Sequence, residues 1–352
     1  MKPQTQPQVL RALDLGFGFT KFSLGHYKPD GNYELEVSAF PSYAGPAIEG
    51  IHYGGSINMA NVLNIEVGSQ RFSVGQDSLS TADGTAKQIL EASFFMSDQY
   101  LALARGAMAL MKVPQTGDID LLVTGLPLNV FRDKELVRNV RTRLEGYHVV
   151  PDVDAPDDGS GFQNRTINVK KIQVIPQVVG SLIALSCEDG SIEDIGSQRN
   201  LTIDVGYGTL LWLVSNGTTA IPARSNGNMG GVSNLLKKII KEFAPSSVTN
   251  LAILERLDSA LREGKPTIKV NGEIVEIDKY RPLLESTAKE NLTEMLSALG
   301  DTSDIDNIFL SGGGAHLYKT VIAAAFPKRK IICSSSNSRY TNTKGFQIIA
   351  EQ

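Results

Sequence analysis

One short turn, carried twice, constrains this chain more tightly than anything else in it. Asp14-Leu15-Gly16-Phe17-Gly18-Phe19-Thr20-Lys21 follows the apolar run Val9 to Leu13 and leads into another, Phe22 to Leu24. The pattern predicts two strands joined by a tight turn, with a carboxylate closing the first and a lysine opening the second. Glycines at such a turn let backbone N–H groups approach an anion closely. Lys21 adds a mobile positive charge, and Asp14 can hold a hydrated cation. Together these groups fit a magnesium-bound polyphosphate. A single Gly-x-Gly turn is equally at home in an ordinary hairpin. The second copy, Leu201 to Val205 followed by Gly206-Tyr207-Gly208-Thr209, changes that balance. It again sets an aspartate, Asp204, before glycine, aromatic and glycine. The repetition predicts two similar domains facing one phosphate site.

Length and composition agree with this. At 352 residues the chain can bury two cores, and its 41% hydrophobic and 20% charged fractions are those of a globular protein. A net charge of −4 argues against direct, non-specific binding to nucleic acid, so any contact with DNA is expected to pass through a partner. No apolar run approaches the roughly 20 residues of a membrane span. Met1 to Gln8 lacks an apolar signal core and reads as a loose lead-in. Cys187 and Cys333 stand far apart in apolar surroundings and read as buried, reduced thiols of a cytoplasmic protein. Four unclustered histidines give no basis for a zinc site.

Taken in order, Pro29-Asp30-Gly31-Asn32 predicts a turn and Tyr33 to Val37 a third strand. Residues from Phe40 to about Ala92 are glycine-rich and irregular, with one hairpin expected over Ile65 to Val74. Tyr100 to Met111 predicts a helix, Asp120 to Pro127 a buried strand, and Phe131 to Leu144 another helix. Asp152 to Gln163, containing Asp157-Asp158-Gly159-Ser160-Gly161, reads as a solvated loop between strands, and Lys170 to Ile175 as a strand. Pro176 to Leu185 then opens a helix with proline near its first turn. Beyond the second motif, helices are expected at Val232 to Phe243, Asn250 to Arg262 and about Pro282 to Leu299. A hairpin is signalled by Asn271-Gly272. Ile305 to Leu310 is a buried strand delivering Ser311-Gly312-Gly313-Gly314-Ala315, and a strand at Lys330 to Cys333 and a helix from about Asn342 complete the pattern.

This order of motifs resembles the actin-like ATPase superfamily, whose fold is also that of the sugar kinases and the Hsp70 nucleotide-binding domain. Asp14 to Lys21 matches the first phosphate loop, Asp204 to Thr209 the second, and Leu310 to Ala315 the adenosine loop. Pro176 to Leu185 and Asn342 to Ile349 are similar to the two connecting helices. Phe40-Pro41-Ser42, Val123 to Pro127, Val174 to Gln177 and Asn342 to Phe346 are similar to segments of ParM/StbA-type plasmid-segregation actins and their archaeal relatives. The loop around Asp157 is longer than in that group.

The resemblance implies an α/β fold of two actin/RNase H-like domains with mixed sheets around a nucleotide cleft. Domain I would span residues 1–180 with an inserted subdomain at about 38–93, and domain II residues 181–352 with one at about 235–298. The C-terminal helix would pack back on domain I. It also implies nucleotide contacts from Gly16, Phe17, Gly18, Phe19, Thr20, Lys21, Gly206, Tyr207, Gly208, Thr209, Gly312, Gly313, Gly314 and Ala315. Asp14 and Asp204 would hold Mg2+ through water, and Gln177 would orient the attacking water. The expected activity is hydrolysis of ATP, with GTP an open alternative, coupled to self-assembly into filaments that move low-copy plasmid DNA through a DNA-binding adaptor. No direct nucleic-acid or membrane binding is expected. A sugar-type kinase and a non-polymerising Hsp70-like ATPase are the alternatives on the same fold. A kinase would need an aspartate base in the first domain, and Asp118 and Asp120 read as residues at the start of a strand.

Overall fold

The computed structural model describes residues 8–26, 35–47, 61–80, 82, 88–155, 163–188, 196–334 and 337–352. In the first half, β1 (Leu10–Leu15) and β2 (Phe19–His26) form the hairpin expected around Gly16 and Gly18, and β3 (Leu35–Pro41) extends it antiparallel. Helix α1 (Asp98–Leu110) carries the chain across to β4 (Leu121–Leu126), parallel to β1. Helices α2 (Leu128–Phe131) and α3 (Lys134–Leu144) precede β5 (Ile172–Pro176), parallel to β4. The sheet order is β5-β4-β1-β2-β3, with the antiparallel pairs on one side and the crossover connections on the parallel side.

Helix α4 (Gln177–Glu188) leads into a second sheet of the same plan. Strands β6 (Arg199–Val205) and β7 (Leu210–Asn216) form its hairpin, and β8 (Asn226–Asn228) pairs antiparallel with β7. Helices α5 (Val232–Phe243), α6 (Leu251–Glu263) and α7 (Arg281–Leu299) intervene before β9 (Asn307–Ser311), which lies parallel to β6. Helix α8 (Ala315–Ala325), strand β10 (Lys330–Cys333) and helix α9 (Thr341–Glu351) complete the half.

The helices covering these sheets are exchanged. On one face of the first sheet, Leu13 and Leu15 pack with Tyr100, Leu103 and Ala107 of α1. On the other, Ala12 and Val123 meet Phe346 and Ala350 of α9, which comes from the far end of the chain. The second sheet uses α5 and α8 over Leu201, Ile203 and Val205, whereas Leu211, Leu213 and Phe309 pack with Val178, Leu182 and Leu185 of α4. Strands buried on both faces explain why the central segments read as unbroken apolar runs.

Helices α4 and α9 cross backbone to backbone. A Cβ on Gly345 would stand 1.9 Å from the Gly180 carbonyl oxygen, and one on Gly180 would stand 2.6 Å from the Phe346 ring. Only glycine at both positions permits this approach.

Several details differ from the sequence reading. The expected helix over Phe131 to Leu144 is broken at Asp133, whose side chain accepts from the N–H groups of Glu135 and Leu136 and so starts α3 afresh. As the reading of strands on either side of residues 152–163 expects, Gly146–Pro151 and Asn164–Val169 do form an antiparallel pair. Pro176 ends β5 and the helix begins at Gln177. Both cysteines are free but only half-buried. The turn at Pro29 to Asn32, the run Asp157 to Gly161 and the lead-in through Pro7 lie outside the described residues. Among the described residues no helix is long and apolar enough to cross a membrane.

The crossing gives a direct test. Gly345→Ala drives a methyl group into the backbone of α4, and overpacking of this kind costs about 3 kcal/mol. Urea unfolding should show the loss as a lower midpoint with an unchanged slope.

Candidate active site

Both motif aspartates close their strands at the mouth between the sheets. Asp14 is wholly buried and sits opposite Lys21 across the β1–β2 hairpin. The pairing places Lys21 Nζ 2.5 Å from Asp14 Oδ2. The first residue of α4 completes the group, as Gln177 Nε2 donates to Asp14 Oδ1 at 2.7 Å. The turns themselves match: Gly16 N–H donates to Phe19 O at 3.2 Å, and Gly206 N–H to Thr209 O at 2.8 Å.

The second half departs from this symmetry at one position. Leu211 stands opposite Asp204 where Lys21 stands opposite Asp14. Asp204 is therefore buried beside an amide in place of its own cation: Asn342 Nδ2 donates to Asp204 Oδ2 at 2.7 Å. Burial pushes the Asp204 carboxyl up to about 6, and the nearby Asp14 charge adds to the rise. The hydrogen bond from Asn342, the Lys21 charge and the nearby Ser311 hydroxyl oppose it.

The two loops interlock. A Cβ on Gly18 would lie 2.5 Å from Tyr207 Cβ, and one on Gly208 would lie 2.7 Å from the Phe17 ring. Each aromatic of the repeated motif thus occupies the space its counterpart's second glycine leaves open. The third loop starts at Gly312, whose φ of 89° and contact with the Val205 carbonyl exclude a side chain. Gly313 has open space before it.

These elements surround a cleft of about 690 Å³, open mouth included. Gly16, Phe17, Gly18, Phe19, Lys21, Gln177, Asp204, Gly206, Tyr207, Gly208, Thr209, Gly312, Gly313 and Gly314 all line it. Asp14 lies directly behind Lys21 and Gln177. Two expected contacts stand outside. Thr20 is fully buried with its hydroxyl 2.9 Å from Ser42 Oγ, because alternation along β2 turns it from the cleft. Ala315 is the first residue of α8, its N–H already given to Gly312 O.

Four polar residues of the cleft wall escaped the sequence reading: Asp258, Arg262, Arg339 and Asn342. Arg262 pairs with Asp258 at 3.0 Å, and Arg339 lies 3.9 Å over the Phe19 ring centre. Burial lowers the Arg339 pKa, with Arg262 adding to the effect. Asp258 and Arg262 come from an otherwise ordinary amphipathic helix and carry no local signal. Asn342 does carry one: it precedes Gly345 by three residues, as Gln177 precedes Gly180.

The residues present fit a hydrated divalent cation. Among the described residues no cluster of three or more His, Cys, Asp or Glu forms a closed metal cage. Two carboxylates beside a phosphate-sized cradle suit Mg2+, which retains most of its water and takes its other oxygens from phosphate.

Comparison with known proteins agrees with this architecture. Residues 12–180 match the model of the family described as actin like proteins N terminal domain, and residues 202–323 that of the archaeal actin homologue MreB-like C-terminal domain. No curated protein matches the chain. Among solved structures, the archaeal actin homologue Ta0583 is similar at a TM-score of 0.75 and 20% identity, covering 98% of this chain and 99% of its own. An ADP complex of Ta0583 gives 0.72 at 20% identity, covering 98% and 99%. The apo pSK41 ParM protein gives 0.68 at 18% identity with 98% of both chains covered. The Alp12 filament structure gives 0.62 at 17% identity, covering 98% of this chain and 99% of its own.

The raised Asp204 group has a pH signature. Its folded value, about 6, lies above the ordinary carboxylate value near 4, so between these pH values the folded state holds a proton that the unfolded chain releases. Asp204 therefore makes stability fall as pH rises from about 4 to about 6. Chemical unfolding across that window should show this slope reduced in Asp204→Asn.

Proposed function

Because the chain belongs to the actin-like ATPase superfamily, we propose that it binds a nucleoside triphosphate with magnesium in the cleft, hydrolyses it, and assembles with copies of itself into filaments. The observation that carries this reading is the meeting of the two Asp-x-Gly-aromatic-Gly loops at one cleft, with a buried aspartate at the root of each. The nucleotide is ATP in this reading, with GTP the competitor to be tested. An ADP complex of Ta0583 and a filament of Alp12 lend support by analogy.

The roles follow from position. N–H groups of Gly16 to Phe19 and Gly206 to Thr209 cradle the β- and γ-phosphates, and Lys21, drawn partly from Asp14, neutralises their charge. Bound Mg2+ would supply further charge neutralisation, held through water by Asp14 and Asp204. Gln177 gives its Nε2 to Asp14, which leaves Oε1 to accept from a water and orient it for attack. The halves, divided near residue 180 with insertions at about 38–93 and 235–298, close on the nucleotide through the α4–α9 crossing. In the cell the filament would work in the cytoplasm and separate low-copy plasmid DNA through a DNA-binding adaptor.

Among the described residues, the two aspartates weighed for the kinase alternative are engaged elsewhere. Asp118 and Asp120 are tied to Lys170, and Asp120 also accepts from the Val9 N–H, so neither faces the cleft as a base.

Sedimentation with ATP and Mg2+ tests the reading: pelleting that requires both supports it, and transfer of phosphate to a sugar without pelleting overturns it. Asp204→Ala should weaken magnesium-dependent nucleotide binding and polymerisation while leaving the fold intact. Gln177→Ala should slow phosphate release by about 10-fold, equivalent to about 1.4 kcal/mol in the barrier, with nucleotide affinity nearly unchanged. Its filaments should persist longer, which light scattering on the same sample would follow.

A further inference from the structure

The amide on Asp204 does not stand alone. Ser311 Oγ of β9 donates to Ser181 Oγ of α4 at 2.7 Å, and Ser181 Oγ donates to Asn342 Oδ1 of α9 at 2.5 Å. Asn342 Nδ2 then donates to Asp204 Oδ2 at 2.7 Å. All four side chains are buried. Both ends of the Asn342 amide are therefore committed, one to α4 and one to the aspartate. That fixes the rotation of the amide plane, and through it the carboxylate. The position mirrors Gln177, which bonds Asp14 from the first turn of the partner helix, three residues before the other crossing glycine.

We propose that Asn342 is a positioning residue for Asp204, held in place by Ser181 at the helix crossing. Asn342 lines the cleft, whereas Ser181 does not, so Ser181 bears on the cleft through its bond to Asn342. The inference rests on the cleft being a magnesium-nucleotide site. One oxygen of Asp204 takes the amide, and the other, Oδ1, lies on the Gly312 side, 2.4 Å from where a Cβ on Gly312 would stand. Without the amide, Oδ2 loses its donor and the carboxylate is held less firmly toward the waters of the cation. Because the crossing helices join the two halves, the same contact ties the orientation of Asp204 to their relative angle.

The test compares wild type, Asn342→Ala, Ser181→Ala and the double variant. Binding of a fluorescent ATP analogue is measured in Mg2+ and in EDTA, and thermal unfolding without nucleotide is recorded for each. A hydrogen bond to a charged group predicts that Asn342→Ala loses on the order of 10-fold affinity in Mg2+ and little in EDTA. Ser181→Ala should lose less in the same direction, and the double variant no more than Asn342→Ala, since the two act in series. Ser181→Ala removes a single oxygen, so it reports on the role even where Asn342→Ala fails to fold. A merely structural role would lower both affinities together with the unfolding temperature. Equal losses in Mg2+ and EDTA, or additive losses in the double variant, overturn the proposal. A wild type that binds the analogue equally in both buffers, or not at all, overturns the nucleotide reading with it. A wild type helped by Mg2+ beside variants with an unchanged ratio overturns the role of Asn342 alone.

Discussion

Two carboxylates buried within reach of one another's charge are the constraint on which the rest of the structure depends. Removing such groups from water is unfavourable unless donors replace the water, and their mutual repulsion adds to the penalty. Lys21 answers it for Asp14 from the same hairpin, and the amide donors come from far away in sequence. Gln177 and Asn342 reach Asp14 and Asp204 only because α4 and α9 begin at the cleft. Those helices can both begin there only because they cross at Gly180 and Gly345 without intervening side chains. Backbone contact at the crossing and electrostatics at the cleft are thus one geometric condition.

The two halves nevertheless differ in charge. Lys21 faces Asp14 across its hairpin, whereas Leu211 faces Asp204. One aspartate is paired with a lysine from the neighbouring strand of its hairpin, and the other is left with neutral donors, so burial raises its pKa.

Much of this was legible in the sequence because the informative residues are local. The two hairpins, the aspartates near the end of their first strands and the main strands along the chain follow from glycine spacing and apolar runs, and the structure has them there. What escaped was set by tertiary contact. The break at Asp133 depends on a side chain capping the helix that follows, which a run of helix-forming residues conceals. Arg339 belongs to the cleft because of Phe19, 320 positions earlier in the chain, and no window of sequence contains both. The interlock of Phe17 with Gly208 is invisible for the same reason, although the repeated aromatic hinted that the position was under constraint. Thr20 was misplaced by reading the motif as one binding unit, when the period of two in a strand had already turned alternate residues away.

The exchange of helices between the sheets bears on how the molecule is made. Ala12 and Val123 lie in the earliest part of the chain, yet the surface they form is closed by Phe346 and Ala350. A nascent first half leaving the ribosome can pair its strands and cover the face packed by α1. Its other face stays wet until more than 200 further residues have been synthesised, counting from Val123 to Phe346. Completion of the first core and docking of the second half are therefore a single late event, and the hydrophobic face that waits for it is where a chaperone would have most to protect.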